Sequence, residues 1–242
     1  MNSPDDPFIT MVLLTLLAAA AMPLGGWLAM IERLHRGWLE QELRHSILAF
    51  GAGVLIAAVA LVLIPEGVKG LSPLTIAICF TGGGLAFMLL DIQLAAHKTA
   101  AGQMAAMLAD FLPESLAMGA AFAQGHAFGF SLALLIALQN VPEGFNAFRE
   151  MAGRNRVKGR RVLLLMALMV PLGPLMGWLG MTWLSPRPDL LHGVMVFAAG
   201  GILYAVFEDI APGIRLSRRW APPMGAVLGF LLGLLGNLWV AG

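Results

Sequence analysis

Charge is what this chain has least of. Asp, Glu, Lys and Arg make up 12% of its 242 residues, against about 25% in an ordinary soluble domain. Hydrophobic residues make up 59%, and the mean hydropathy is +0.81. That balance excludes an ordinary cytosolic enzyme, a disordered chain and a nucleic-acid binder. The formal net charge of +1 directs the chain toward no polyanionic partner. A single cysteine, Cys79, excludes a disulfide framework and any thiolate metal cluster within one chain. Also missing are the phosphate-cradling GxxxxGK[ST] of an ATP-driven pump, the HExxH of a metalloprotease and the GxSxG nucleophile elbow. The reading is of an integral membrane protein that is not an enzyme and requires no cofactor.

Apolar runs long enough to cross a bilayer, about 20 residues each, recur with short breaks. They predict spans at roughly 8–31, 45–67, 73–94, 103–124, 127–150, 162–183, 190–209 and 222–241. Residues 1–242 then form a single transmembrane domain, all-α, with no room for a soluble one beside it. The polar–apolar dyads of an outer-membrane barrel are absent, and the runs are too long for strands.

The basic residues orient these spans. Arg33, Arg36 and Arg44 fall between the first two, and Lys98 between the third and fourth. Arg149, Arg154, Arg156, Lys158, Arg160 and Arg161 flank the fifth-to-sixth connection, and Arg215, Arg218 and Arg219 the seventh-to-eighth. With eight spans all of these share one side, leaving Lys69 and Arg187 on the other. By the positive-inside rule both termini are extracytoplasmic, in a multi-pass protein of the plasma membrane (the inner membrane of a bacterium). Asp5 and Asp6, rather than basic residues, precede the first apolar run, so it reads as a retained helix and not a cleaved leader.

Small residues supply packing faces where lipid gives no apolar drive between helices. Gly82-Gly83-Gly84 interrupts the third span, and Gly225, Gly229 and Gly233 line one face of the last. The latter row reads first as packing within the chain, with a homodimer seam as the alternative.

The informative residues are the acids inside the spans, where a charged group costs about 2.5–3.5 kcal/mol on insertion scales. Asp110 and Glu114 lie in the fourth span and Glu143 in the fifth, among Gln139, Asn140 and Asn146. No Lys or Arg lies at comparable depth, so protons or a bound cation must compensate. Asp110 and Glu114 are four residues apart and share a helix face, as do Gln139 and Glu143. The two spans are consecutive and antiparallel, which sets Glu114 level with Gln139 and Asp110 level with Glu143. Pro113 and Pro142 directly precede the two glutamates and free the carbonyls of Ala109 and Leu138 beside them. Oxygen donors in two tiers at a helix irregularity are the makings of a cation cage.

Other polar residues read as less specific. Asp91, Glu66, Glu208 and Asp209 lie near span ends, where reaching water is the competing explanation. His35, His45, His97, His126 and His192 stand off the acid faces and read as interfacial. Met118, one turn beyond Glu114, reads as a packing residue.

The string QNVPEG at 139–144, following LPES at 112–115, resembles the ZIP (Zrt/Irt-like) metal transporters. IPEG at 64–67 and EDIAPG at 208–213 are similar to segments closing the second and seventh spans of that family. The fourth span departs from the family's HNxPEG: Asp110 stands for the histidine, Phe111 for the asparagine and Ser115 for the glycine. Gln139 stands where many members have histidine. Phe111 cannot bind metal, so the resemblance implies one principal site rather than two. Its ligands would be Asp110, Glu114, Gln139 and Glu143, with Asn140 and Asp209 peripheral.

The resemblance implies a ZIP-like bundle that carries divalent metal inward. Glu66 would stand at the outer mouth, and Glu208 with Asp209 would receive the ion near the cytoplasm. Motion would be a sliding of spans one, four, five and six against the rest. A site without imidazole or thiolate is hard, and admits Mn²⁺, Fe²⁺ and Cd²⁺ beside Zn²⁺, although the Irving–Williams order favours zinc. The alternative is a non-transporting relative that binds metal or protons and serves as a sensor or partner subunit.

Overall fold

The computed structural model describes residues 6–31, 37–95, 100–124, 126–152, 156–213 and 220–241. Among these there is no strand, and the helices assemble into eight rods. Rod α1 is Pro7–Ile31. Rod α2 runs through Gly37–Ala58, a π-helical turn at Val59–Leu63 and a last α-turn at Ile64–Gly67. Rods α3, α4 and α5 are Pro73–Ala95, Ala100–Gln124 and His126–Ala152. Rod α6 comprises Arg156–Met169, Leu172–Leu179 and a π turn at Gly180–Leu184. Rod α7 comprises Pro188–Ala205, a π turn at Val206–Ile210 and Ala211–Gly213, and α8 is Ala221–Ala241.

Six of the rods (α1, α2, α3, α6, α7 and α8) contain stretches long and apolar enough to cross a bilayer, which marks a multi-pass membrane protein. The other two, α4 and α5, have the length but carry the acids and amides. They compensate by position, since α5 packs against α1, α2, α4, α6 and α8. Polar helices are tolerated in such a protein when they face the bundle interior.

Three features depart from the sequence expectations. Rod α3 passes through Gly82-Gly83-Gly84 without a break. Rods α4 and α5 likewise run unbroken through Pro113 and Pro142. The irregularities lie elsewhere, and each π turn stops two residues short of a proline. Ile64, Ser185 and Ala211 donate their backbone N–H to the oxygens of Val59, Gly180 and Val206, five residues back. Pro65, Pro186 and Pro212 follow them. A proline ring collides with the carbonyl four residues earlier, and widening the preceding turn gives it room.

Glycines sort the rods into two groups of four, α1 with α4, α5 and α6, and α2 with α3, α7 and α8. A Cβ at Gly173 of α6 would lie 2.9 Å from the Thr15 carbonyl of α1, and one at Gly67 of α2 3.1 Å from the Val196 nitrogen of α7. A side chain at Gly25 would strike the Val141 carbonyl, and one at Gly144 the Met22 carbonyl, so α1 and α5 meet backbone to backbone. The same reciprocity joins α4 to α6 through Gly119 and Gly180. It joins α2 to α8 through Gly53 and Gly229, and α3 to α7 through Gly83 and Gly200. Gly225 and Gly229 of the last rod face Ser46 and Phe50 of α2, so that row is covered within the chain. Between the groups the contacts are made by side chains, such as Pro142 of α5 on Gly51 of α2.

Two apolar layers fill the interior. One contains Met11, Leu63, Met118, Phe122, Leu135, Leu184 and Met195. The other contains Met22, Met107, Phe111, Phe145, Phe148 and Met166, and lies toward the end where α1 finishes and α4 begins. We call that the basic end, because Arg44, Arg149, Lys158, Arg160 and Arg161 belong to it. Glu114 and Gln139 fall between the layers along α4 and α5.

Candidate metal site

The pairing of α4 with α5 has a polar centre. Gln139 donates Nε2–H to both carboxylate oxygens of Glu114, at 2.6 and 2.7 Å. Both residues are buried, at 3% and 4% exposure. α5 begins at His126, two positions after α4 ends at Gln124, so the two rods run antiparallel, and the Glu114–Gln139 bond puts those two residues at one level. Gln139 lies one turn before Glu143, and Glu114 one turn after Asp110, which sets the second pair on the same side. Asp110 and Glu114 are acidic neighbours of Glu143.

Beside this pair lies a cavity of about 200 Å³. Asp110, Gln139, Glu143, Asn146 and Glu150 supply its polar lining, and Leu48, Leu55 and Ile202 part of its apolar wall. No Lys or Arg is among its lining residues. Gln139 Oε1 and Asn146 Oδ1 are buried without a hydrogen-bond partner among the described residues. In a bundle whose surroundings are lipid, orphaned oxygens are costly unless something meets them.

The donor set is therefore oxygen-rich, with carboxylates and amide oxygens facing one space. Yet among the described residues no three His, Cys, Asp or Glu side chains are placed to hold a metal ion together. The Gln139 amide presents its nitrogen, not its oxygen, to Glu114. Rotating that amide by half a turn would exchange donor for acceptor at the same place.

The other expected residues fall in different surroundings. Asn140 turns away from the cavity and donates Nδ2–H to the Ala18 carbonyl of α1 at 2.8 Å. One residue along a helix is a rotation of about 100°, which takes Asn140 off the face shared by Gln139 and Glu143. Asp209 lies in the π turn of α7, and its side chain is outside the described residues, as are those of His35, His97 and His126. Glu208 is exposed on the same turn. Glu66 is held by Lys69, whose Nζ lies 2.6 Å from both carboxylate oxygens. Asp91 Oδ2 lies 3.5 Å from the Tyr204 hydroxyl, pairing α3 with α7 away from the cavity. Phe111 is 1% exposed and Met118 fully buried, each in its apolar layer.

Two residues belong to the cavity that the acid motifs alone did not single out, Asn146 and Glu150. With Gln139 and Glu143 they fall at positions i, i+4, i+7 and i+11 of α5, a continuous helical stripe. That spacing is visible in the sequence. Glu150 is hidden in it by its neighbours Arg149 and Met151, which make the segment look like an ordinary helix end. No protein-family model matches the chain, and comparison with curated proteins finds no match.

Proposed function

We propose that this protein carries divalent metal cations, Zn²⁺ or the similar Mn²⁺, Fe²⁺ and Cd²⁺, across a plasma membrane into the cytoplasm. The observation that carries the reading is the cavity lined by Asp110, Gln139 and Glu143, with buried Glu114 behind it and no basic lining residue. Buried acids without a cation are expensive in a bilayer, and a mobile divalent ion offsets that cost reversibly. In this reading α4 and α5 also span, giving eight crossings with both termini outside and the basic end in the cytoplasm.

The likeness of LPES and QNVPEG to ZIP motifs supports the same class of cargo. Gln139 acts as a stand-in: its amide N–H groups satisfy Glu114 while no metal is there, and its oxygen turns to the ion when one arrives. The two glycine-joined groups support movement as rigid halves, since α1, α4, α5 and α6 contact the others through side chains. The absence of a ready-made group of three metal-binding side chains among the described residues favours a second reading, a membrane protein that binds metal or protons without moving them.

Metal flux across proteoliposome membranes separates the two. Wild type should move Zn²⁺ or Mn²⁺, and Glu143→Ala should not. Equal flux from both proteins removes the cavity from the mechanism, and metal binding without flux favours the second reading.

A further inference from the structure

The polar stripe of α5 continues past Glu143 to the rim of the cavity. Glu150 is the exposed member of the lining, with its side chain 47% accessible, and so marks the mouth. Its Oε1 accepts a hydrogen bond from Arg44 Nη2 at 2.9 Å. Arg44 belongs to α2 and Glu150 to α5, so this ion pair joins the two groups of helices, which meet elsewhere through side chains such as Pro142 on Gly51. One turn inward, Asn146 donates Nδ2–H to the Pro142 carbonyl at 2.9 Å. That bond leaves Asn146 Oδ1, on a residue only 5% exposed, as a buried oxygen in the cavity wall without a partner among the described residues.

We propose that Glu150 is the last protein ligand of a divalent cation leaving the cavity, and that Arg44 is a tethered cation which holds the carboxylate until the metal takes its place. The inference rests on the transport reading and adds a station and a latch to it. Asn146 Oδ1 stands between Glu143 and Glu150 as the neutral oxygen on the way. A guanidinium and a divalent cation compete for the same carboxylate oxygen, so they cannot hold Glu150 together. The metal's arrival therefore releases α5 from α2 at the mouth. Exposure suits the pair to serve as a latch, because a half-exposed ion pair is weak and a doubly charged ion displaces it readily. The backbone contacts inside each group offer no such exchange, whereas this pair is a breakable link.

A reporter thiol tests the latch without needing transport. Ala205 lines the same cavity, and Ala205→Cys in a Cys79→Ser background can be labelled in inverted vesicles by a membrane-impermeant reagent. Without metal, Arg44→Gln and Glu150→Gln should each label faster than the parent, by up to about fivefold, the upper range for an exposed ion pair. The charge exchange Arg44→Glu with Glu150→Arg should restore the slow rate, which guards against a fold that simply loosens. Mn²⁺, a poor thiol ligand, should speed labelling of the parent and not of Glu150→Gln. Parent-like labelling of Arg44→Gln, or equal acceleration by Mn²⁺ in Glu150→Gln, overturns the proposal. Failure of the transport reading shows separately, as absent flux in a protein whose metal-free labelling still follows the ion pair.

Discussion

The side-chain amide nitrogen of Gln139 donates to both oxygens of Glu114, 2.6 and 2.7 Å away, across the contact between α4 and α5. A carboxylate buried among apolar layers is thereby satisfied from within the protein. A cation arriving there must displace a donor, not fill a gap. An amide can serve in both states, since it carries a donor and an acceptor at the same distance from the backbone.

Replacing that amide separates its two duties. Gln139→Leu removes the donor and leaves the buried Glu114 carboxyl unsatisfied, at a cost of about 1–3 kcal/mol. Thermal unfolding in detergent should show the loss as a lower Tm. Gln139→Leu with Glu114→Leu removes both partners and should regain much of that stability, while neither variant carries metal. A Tm unchanged in the single variant contradicts the pairing.

Asn140 should behave in the opposite way. Its Nδ2 is bonded to the Ala18 carbonyl of α1, on a different side of α5 from the cavity. Asn140→Ala leaves that carbonyl unsatisfied and should cost about 1–3 kcal/mol of stability. Metal affinity, measured by calorimetry on the protein that remains folded, should stay at the wild-type value. A selective loss of affinity would return Asn140 to the ligand set that the ZIP resemblance implies.

The crossing of α1 and α5 predicts a sharp contrast between glycines. Gly144→Ala places a methyl group against the Met22 carbonyl, and the two rods must separate for it to fit. Overpacking of this kind costs about 1–3 kcal/mol, and here it also shifts Glu143, the preceding residue. Gly70 has a positive φ of 74°, and a Cβ placed there would meet no atom within 4 Å. Gly70→Ala therefore feels only the backbone preference, about 1–2 kcal/mol for a non-glycine residue in the left-handed region. Expression, Tm and flux should all fall in the first variant, and flux should persist in the second. Normal flux from Gly144→Ala refutes the close approach.

What could be read in advance follows from what each signal reports. Hydropathy and basic residues count helices and ends, so the rods fall near the expected spans. The i,i+4 spacing of Asp110 with Glu114 and of Gln139 with Glu143 carried enough geometry to bring Glu114 and Gln139 together. Asn140, next to Gln139 in sequence, bonds the Ala18 carbonyl of α1, because a helix turns neighbouring residues to different partners. The π turns before Pro65, Pro186 and Pro212 are changes of hydrogen-bond register, to which hydropathy is blind. Arg44 was legible only as a topological charge, since its partner Glu150 lies 106 positions away. Long-range pairing is the property that a single sequence leaves least exposed.

The departure at Asp110 supplies the last prediction. The residue lines the cavity where the resembled family has histidine. A carboxylate contributes hard oxygen, and imidazole a softer nitrogen that suits zinc better than manganese. Asp110→His also removes one negative charge from the neighbourhood of Glu143 and Glu114. Both effects act in one direction on selectivity, because Mn²⁺ relies more on charged oxygen than Zn²⁺ does. The ratio of Zn²⁺ to Mn²⁺ flux should rise severalfold in the variant, chiefly through loss of Mn²⁺ transport. Asp110→Asn is the control, since it removes the same charge but offers oxygen in place of imidazole. It should slow both metals with little change in their ratio. If both variants shift the ratio alike, charge alone sets the preference at this position, and the identity of the donor atom does not.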